Sequence, residues 1–255
     1  MGNKWTKEET IVAFNVYCKI PFKNSSKSHP LIVTYADLLG RTPSALNMKI
    51  GNIGRLDPSL QEKGITGLRH GAKMEEDIWN EFSSNPEKLA YESEQIIARL
   101  SEKKLEDSLQ IDISAFPEGE ERETVIRQRI NQAFFRNAVL SAYNFKCCIS
   151  GIKSPELLDA CHIVDWAQDK ANRMNPSNGL CLNSLFHKAY DKYLIAITPD
   201  LDVVVSERML QNAGSTRFGE YLKEIDGNKI SVPEKFFPKK EFLERHYNDF
   251  RRVSV

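Results

Sequence analysis

The sequence contains no apolar run long enough to cross a membrane, and its first residues lack the apolar core of a signal peptide. Its five cysteines form an odd set without the spacing of a disulfide framework, so we expect a reducing compartment. The formal net charge is zero, which argues against a wholly basic nucleic-acid-binding protein. From these absences we expect a cytoplasmic protein with no membrane partner.

The charges are unevenly distributed along the 255 residues. Residues 1–84 hold eleven Lys and Arg against nine Asp and Glu, residues 85–126 hold five against eleven, and residues 127–255 hold nineteen against fifteen. The middle segment is therefore acidic, whereas both ends are mildly basic. Because a total of zero can hide local basic surfaces, we expect any contact with a nucleic acid at the two ends.

The first 84 residues have the pattern of a helical bundle. Thr6 and Glu9 form a capping box, and Thr42-Pro43 supplies an N-cap and a first-turn proline. Between them, Leu31 to Leu39 predicts a helix that ends at Gly40. This order is typical of a helix-turn-helix, and it equally fits a three-helix bundle without DNA contact. In the first interpretation, the DNA-binding residues are Arg41, Ser44, Asn47, Lys49 and, in the basic loop that follows, Arg69.

The pattern divides the chain into three parts. Residues 1–84 form the predicted helical recognition domain, and residues 85–124 form an acidic linker made of a charged helix and the loop SAFPEGEERE. Residues 125–255 form a second domain. It begins with a helix from Val125, contains a β-hairpin over YLIAITPDLDVVVS and closes with a helix after Pro238. We therefore expect an α+β fold.

The side chains suited to chemistry are concentrated between Leu158 and Asp191. His162 ends an apolar stretch typical of a strand, and Asn178-Gly179 is a turn signal before a second short strand. His187 precedes Asp191 by four residues on a predicted helix, so the two side chains share a face and can hold one cation. The predicted unit is strand, long loop, strand and helix.

The order His162, Asn178, His187 resembles the motif of HNH nucleases, the ββα-metal fold. The stretches ACHIVDW, RMNPSNGLCLNSLFHKAYDKYLI and FFRNAVLSAYNFKCCISGI are more closely similar to HNH endonucleases of bacterial restriction type, and this likeness covers roughly residues 125–250. The amino-terminal WTKEET and LLGRTPSALNMKIGN, with Leu56-Asp57-Pro58, also resemble segments found ahead of such nuclease domains.

This resemblance implies a role for each residue. His162 would be the general base, Asn178 would fix the loop that orients it, and His187 and Asp191 would hold one divalent cation. We expect magnesium, with manganese or zinc as alternatives. The substrate would be double-stranded DNA, cut to 3′-hydroxyl and 5′-phosphate ends by a homodimer, because two strands need two active sites. Restriction or another defence against foreign DNA is the expected setting.

The position before the base departs from the family pattern. Many members have Asp or His there as a further metal ligand, whereas this chain has Cys161, whose thiolate would favour zinc. A carboxylate could come instead from Asp159, two residues back on the same strand face, or from Asp165. We rank Asp159 ahead of Cys161 as the third ligand.

The structural zinc that many members hold between two Cys-x-x-Cys knuckles is not expected here. Cys148 is followed at that spacing by Gly151, and Cys181 is followed by Ser184, so half of the ligands are missing.

Three arginines in the second domain are candidates for binding DNA phosphates: Arg129, Arg136 and Arg173. For each, a helix-surface or salt-bridge role is equally consistent with the sequence. Two other functions stay open: a DNA-binding protein with an inactive HNH-like domain, and a homing or phage-type HNH nuclease.

Overall fold

The computed structural model of the chain describes residues 4–65, 72–110 and 119–253. Its contacts divide the chain into two compact units, Met1–Ala142 and Tyr143–Val255, called the first unit and the second unit below. Among the described residues, the first unit is helical and the second combines helices with two small sheets, so the chain is α+β as predicted. None of the described helices is long and apolar enough to span a membrane. Arg69, expected to contact DNA, lies outside the described residues.

The first unit is built around its first helix. That helix is buried continuously from Thr10 to Cys18, the pattern of a helix surrounded on all sides by others. Among the described residues, it packs against five of the other helices, which span Pro30–Leu38, Pro43–Gly54, Lys73–Phe82, Pro86–Leu100 and Glu120–Ala142. The described helices of this unit are α1 (Lys7–Lys19), α2 (Pro30–Leu38), α3 (Pro43–Gly54), α4 (Pro58–Gln61), α5 (Lys73–Phe82), α6 (Pro86–Leu100), α7 (Leu105–Ser108) and α8 (Glu120–Ala142).

The helix ends lie where the local signals predict them. The Thr6 hydroxyl accepts a hydrogen bond from the backbone N–H of Glu9, and the Glu9 carboxylate accepts one from the N–H of Thr6. The predicted capping box is therefore confirmed. At the start of α3, the Thr42 hydroxyl accepts a hydrogen bond from the backbone N–H of Ala45, and Pro43 lies in the first turn. After α2, Gly40 adopts a φ of +62°, a left-handed conformation that glycine accepts at little cost.

The helix expected from Val125 begins five residues earlier, at Glu120. The predicted acidic loop is therefore wrong for residues 120–123. Glu120, Glu121 and Glu123 lie in the first turn of α8, where carboxylates interact favourably with the positive end of the helix dipole. The sequence-based domain division placed α8 with the nuclease domain, whereas here it packs on α1 and α6 of the first unit.

The second unit contains two antiparallel strand pairs and four α-helices among its described residues. The elements of this unit are β1 (Leu158–His162), β2 (Gly179–Asn183), α9 (Ser184–Asp191), β3 (Ile195–Ile197), β4 (Val203–Val205), α10 (Glu207–Ala213), α11 (Arg217–Ile225) and α12 (Lys240–Val253). β1 pairs antiparallel with β2, and β3 pairs antiparallel with β4. α9 packs on both strands of the first pair, and α12 packs on β3. The hairpin of β3 and β4 and the closing helix α12 confirm the sequence-based predictions. Helices α10 and α11 were not predicted from the sequence.

Lys49 is buried, so its expected contact with DNA needs correction. Its ammonium is ion-paired with the carboxylate of Glu75, whose side chain is fully buried, and it lies 4.9 Å from the ring centre of Trp5. A phosphate could reach this ammonium only after the ion pair had been opened. We therefore assign Lys49 to the core of the first unit.

The other residues proposed for DNA contact lie around α3 with different accessibility. Arg41 is paired with Glu9, at 2.8 Å from Nε to Oε1, and most of its side chain is covered. Asn47 accepts a hydrogen bond from the hydroxyl of Ser25, and Ser44 is exposed. Their contacts with DNA stay a prediction.

We expect Lys49→Met to lower the free energy of unfolding by about 3 kcal/mol, because it leaves the Glu75 carboxylate buried without its cation. The double variant Lys49→Met/Glu75→Leu should recover most of that loss. Urea denaturation of the three proteins measures the difference. Equal stability of the single variant and the wild type would contradict the structural role of this pair.

Candidate active site

The loop between β1 and β2 is closed by the side chain of Asn178, which is fully buried. Its Oδ1 accepts a hydrogen bond from the backbone N–H of Val164 at 2.9 Å, and its Nδ2 donates to the carbonyl of Val164 at 3.1 Å. The backbone N–H of Ile163 donates to the carbonyl of Asn178 at 2.9 Å. These bonds tie the start of the loop to its end, which is the geometry required by the role predicted for Asn178.

His162 ends β1, and its ring is oriented by the same loop. Its Nε2 lies 2.9 Å from the backbone carbonyl of Arg173. A carbonyl only accepts, so in the neutral ring Nε2 carries the proton and Nδ1 is the basic nitrogen. Burial lowers the pKa of His162 from 6.5, partly opposed by the bond to Arg173. The ring is therefore largely neutral near pH 7, the form in which a histidine can accept a proton.

Three potential metal ligands come together beside this histidine. The ligand atoms of Cys161, His187 and Asp191 all lie within 4.8 Å of one another. Cys161 is contributed by β1, and the other two come from successive turns of α9. His187 Nε2 is 3.6 Å from Asp191 Oδ2, as the spacing of four residues predicts.

This cluster has the chemistry and nearly the spacing of a cation site. Zn²⁺ bound by sulfur, nitrogen and oxygen at its usual bond lengths separates tetrahedral ligands by about 3.3–3.6 Å, so these ligand atoms, which lie within 4.8 Å of one another, would have to move closer together to hold it. Burial raises the pKa of the Cys161 thiol well above its usual value, and the charges of Asp191 and Asp159 raise it further. In the absence of a cation the thiol therefore keeps its proton, and a bound cation would have to displace that proton.

The two carboxylates considered as alternatives to Cys161 lie in other positions. Asp159 Oδ2 is 3.3 Å from His187 Nδ1, the nitrogen opposite the one that faces Asp191. A carboxylate in this place holds the ring of a ligating histidine and fixes its tautomer. Asp165 accepts a hydrogen bond from the backbone N–H of Ala167 at 2.7 Å and is exposed.

A cavity of about 210 Å³ opens beside these groups, and part of its wall was not anticipated. It is lined by His162, His187 and Asp191 from the ββα segment. Arg245, His246 and Asp249 line it from α12, more than fifty positions along the chain. The sequence contained only one signal for them, the spacing of Arg245 and Asp249 on one face of the closing helix.

His246 anchors α12 to the base of the cavity. Its ring stacks on Tyr190 with the ring centres 3.6 Å apart and the planes 6° from parallel. Its Nε2–H donates to the carbonyl of Tyr190 at 3.3 Å, and its buried Nδ1 has no hydrogen-bond partner among the described residues. A second proton on Nδ1 would therefore be buried without an acceptor. Burial lowers the pKa of His246 from 6.5 to about 4.

The three arginines expected to bind phosphates lie in different units of the chain. Arg173 lies in the active-site loop with its guanidinium 4.8 Å from the ring centre of Trp166. Its carbonyl orients His162, a backbone role that the sequence had not indicated. Arg129 and Arg136 lie on α8 in the first unit, where Arg129 donates to Gln132 at 3.4 Å.

We expect Co²⁺ bound to this protein to show a near-ultraviolet band from thiolate-to-metal charge transfer, because Cys161 would be a ligand. Cys161→Ser should abolish the band, and Cys181→Ser, at a buried thiol on the neighbouring strand, should retain it. An absorption titration measures both. Cobalt binding without the band would contradict Cys161 as a ligand.

We expect the free energy of unfolding to fall by about 2 kcal/mol between pH 7.5 and pH 5 through His246 alone. The folded state binds this proton more weakly than the unfolded state, so the loss starts near pH 6.5 and continues toward pH 4. His246→Phe keeps an aromatic ring and removes the titration. Urea denaturation of both proteins at the two pH values isolates the effect, and parallel pH profiles would contradict it.

Comparison with known proteins agrees with this geometry over one segment. Residues 147–198 match the family described as HNH endonuclease, and this range contains β1, β2, α9 and the cation cluster. It covers about a fifth of the chain. Among curated proteins, none matches the chain significantly. The second unit thus contains a segment that is similar to HNH endonucleases.

Proposed function

We propose that this protein is a metal-dependent endonuclease that hydrolyses phosphodiester bonds in double-stranded DNA. One observation carries the proposal: His162, with its basic nitrogen defined by the bond to Arg173, lines the same cavity as the His187 and Asp191 pair. A base beside a cation site is the combination that this hydrolysis requires. The match of residues 147–198 to HNH endonucleases supports the same chemistry.

In the proposed reaction, Nδ1 of His162 takes a proton from the attacking water. The water oxygen forms a bond to phosphorus, the bond from phosphorus to the 3′-oxygen breaks, and the departing 3′-oxygen takes a proton from solvent. The products carry 3′-hydroxyl and 5′-phosphate ends. Asn178 contributes by holding the loop, and the carbonyl of Arg173 keeps the proton on Nε2. Both act by orienting the base before the reaction begins.

The cation would be held by His187 and Asp191 with Cys161 as the third ligand, and Asp159 would orient His187. When bound, it supplies positive charge that stabilises the negative charge growing on the phosphate. A thiolate ligand moves the metal preference from magnesium, expected from the resemblance, toward zinc. Metal affinity would depend on pH, since the Cys161 thiol must lose its proton.

We further propose that the protein serves restriction or another defence against foreign DNA in the cytoplasm. The first unit would recognise the target through the exposed surface of α3, which includes Ser44. A homodimer would provide two active sites for two strands. Any basic contacts must come from residues other than Lys49, which is buried.

A second candidate function is a DNA-binding protein that does not cleave. The buried and protonated thiol of Cys161 favours it, because such a thiol resists metal binding where many HNH nucleases have Asp or His. The two functions differ in whether metal supports cleavage.

We expect purified protein to cut plasmid DNA with Mg²⁺, Mn²⁺ or Zn²⁺, and His162→Ala to cut between a hundredfold and ten-thousandfold more slowly, on the order expected for loss of a general base. His29→Asn is the matched control, because that histidine caps α2 in the first unit and asparagine also caps helices. Gel assays under single-turnover conditions measure the rates. Equal cutting by His162→Ala would contradict the mechanism, and DNA binding without cutting in any metal would favour the second function.

A further inference from the structure

Arg245 of α12 is the one lysine or arginine among the described residues that line the active-site cavity. The same lining contains three carboxylates, from Asp165, Asp191 and Asp249. A DNA phosphate entering beside His162 would therefore meet more negative than permanent positive charge. A cation on the cavity wall, besides any bound metal, is needed to offset this repulsion.

The guanidinium of Arg245 is available for such a contact. Its Nη2 donates to Oε1 of Gln168 at 3.2 Å. Among the described residues, no carboxylate lies within 4.0 Å of it, in contrast to Arg252 on the same helix, which lies 3.5 Å from Asp249. Its other N–H groups can bind an anion without first breaking an ion pair. Arg245 also borders the more open groove along α12, so it lies where the cavity meets the surface.

The orientation of this guanidinium is set by Gln168 and Tyr193. The side chain of Gln168 accepts from Arg245 and is also hydrogen-bonded to that of Tyr193. Tyr193 follows α9 with a φ of +51°, in the left-handed region where a helix commonly ends on glycine. A tyrosine there costs backbone energy and persists where surrounding contacts hold it. The centre of its ring lies 5.2 Å from the centre of the His246 ring, and Tyr193 lines the cavity.

We infer that Arg245 binds a phosphate of the DNA substrate at the mouth of the active-site cavity, and that Gln168 and Tyr193 are positioning residues for it. This inference rests on the proposed endonuclease function and adds α12 to the substrate site. It implies that Arg245 contributes to binding substrate more than to the chemical step. A residue of this kind changes KM with little change in kcat.

The experiment compares wild type with Arg245→Gln, Arg245→Lys and Tyr193→Phe on a short DNA duplex. We expect Arg245→Gln to raise KM roughly tenfold with kcat changed less than about threefold, and to reduce the salt slope of duplex binding by about one. Arg245→Lys should restore part of the affinity, since it keeps the charge. Tyr193→Phe should raise KM by a smaller factor, since it keeps the ring and loses the bond to Gln168.

Arg251→Gln is the matched control, because it removes an exposed arginine from the same helix outside the cavity lining. Its KM and salt slope should equal those of the wild type. Co²⁺ titration of every variant verifies that the cation cluster is intact. Cleavage by the wild type with the same KM and salt slope in Arg245→Gln and Arg251→Gln would overturn this inference alone. A wild type that binds Co²⁺ but neither binds nor cuts DNA would overturn the proposed function together with it.

Discussion

The candidate active site depends on the hydrogen bonds made by one buried amide, that of Asn178. Residues 163–178 connect β1 to β2, and they contain neither a strand nor a long helix that could fix their path. Asn178 achieves this because its short planar group offers a donor and an acceptor to the same residue, Val164. Aspartate in this place would offer no donor to the Val164 carbonyl, and a buried carbonyl without a partner is costly. Once the loop is closed, the carbonyl of Arg173 meets the ring of His162, so the tautomer of the base follows from the fold of the loop.

The sequence predicted those parts of the site that depend on local geometry. Residues four apart on a helix share a face, so His187 and Asp191 could be paired before the structure was known. The helix starts at Thr6 and Thr42 could also be predicted, because the capping hydrogen bond of each is made within three residues of sequence. Burial of Lys49 and the approach of Arg245 to the cavity could not be predicted, since each depends on residues far along the chain. A lysine between polar residues on a helix has the same local pattern whether it faces solvent or an ion pair.

Cys161 shows how one substitution changes the physical balance of a metal site. A carboxylate at the end of β1 would be charged before any cation arrived, whereas the thiol is buried, neutral and beside Asp159 and Asp191. The cost of removing its proton opposes metal binding, and the stronger bond between thiolate and a softer cation offsets it. In the proposed site, this balance would favour softer cations more than three hard ligands would. Asp159 gains importance in this arrangement, because His187 needs its proton held on Nδ1 for Nε2 to face the cation.

In the proposed function, the residues that bind substrate and the residues that act in the chemical step lie on different elements of the second unit. The base and the cation cluster lie within the segment from β1 to α9, where their geometry is fixed by the hairpin and by Asn178. Arg245 reaches the same cavity from a different element, and the stack of His246 on Tyr190 keeps that element in place. The ring of Tyr193 packs on His246, and its side chain is hydrogen-bonded to Gln168, which in turn bonds Arg245. Tyr193, whose φ is positive, therefore contacts both the histidine that holds α12 in place and the glutamine that orients Arg245. If the proposed function holds, substitutions on α12 alter the affinity for DNA without moving His162 or the cation cluster.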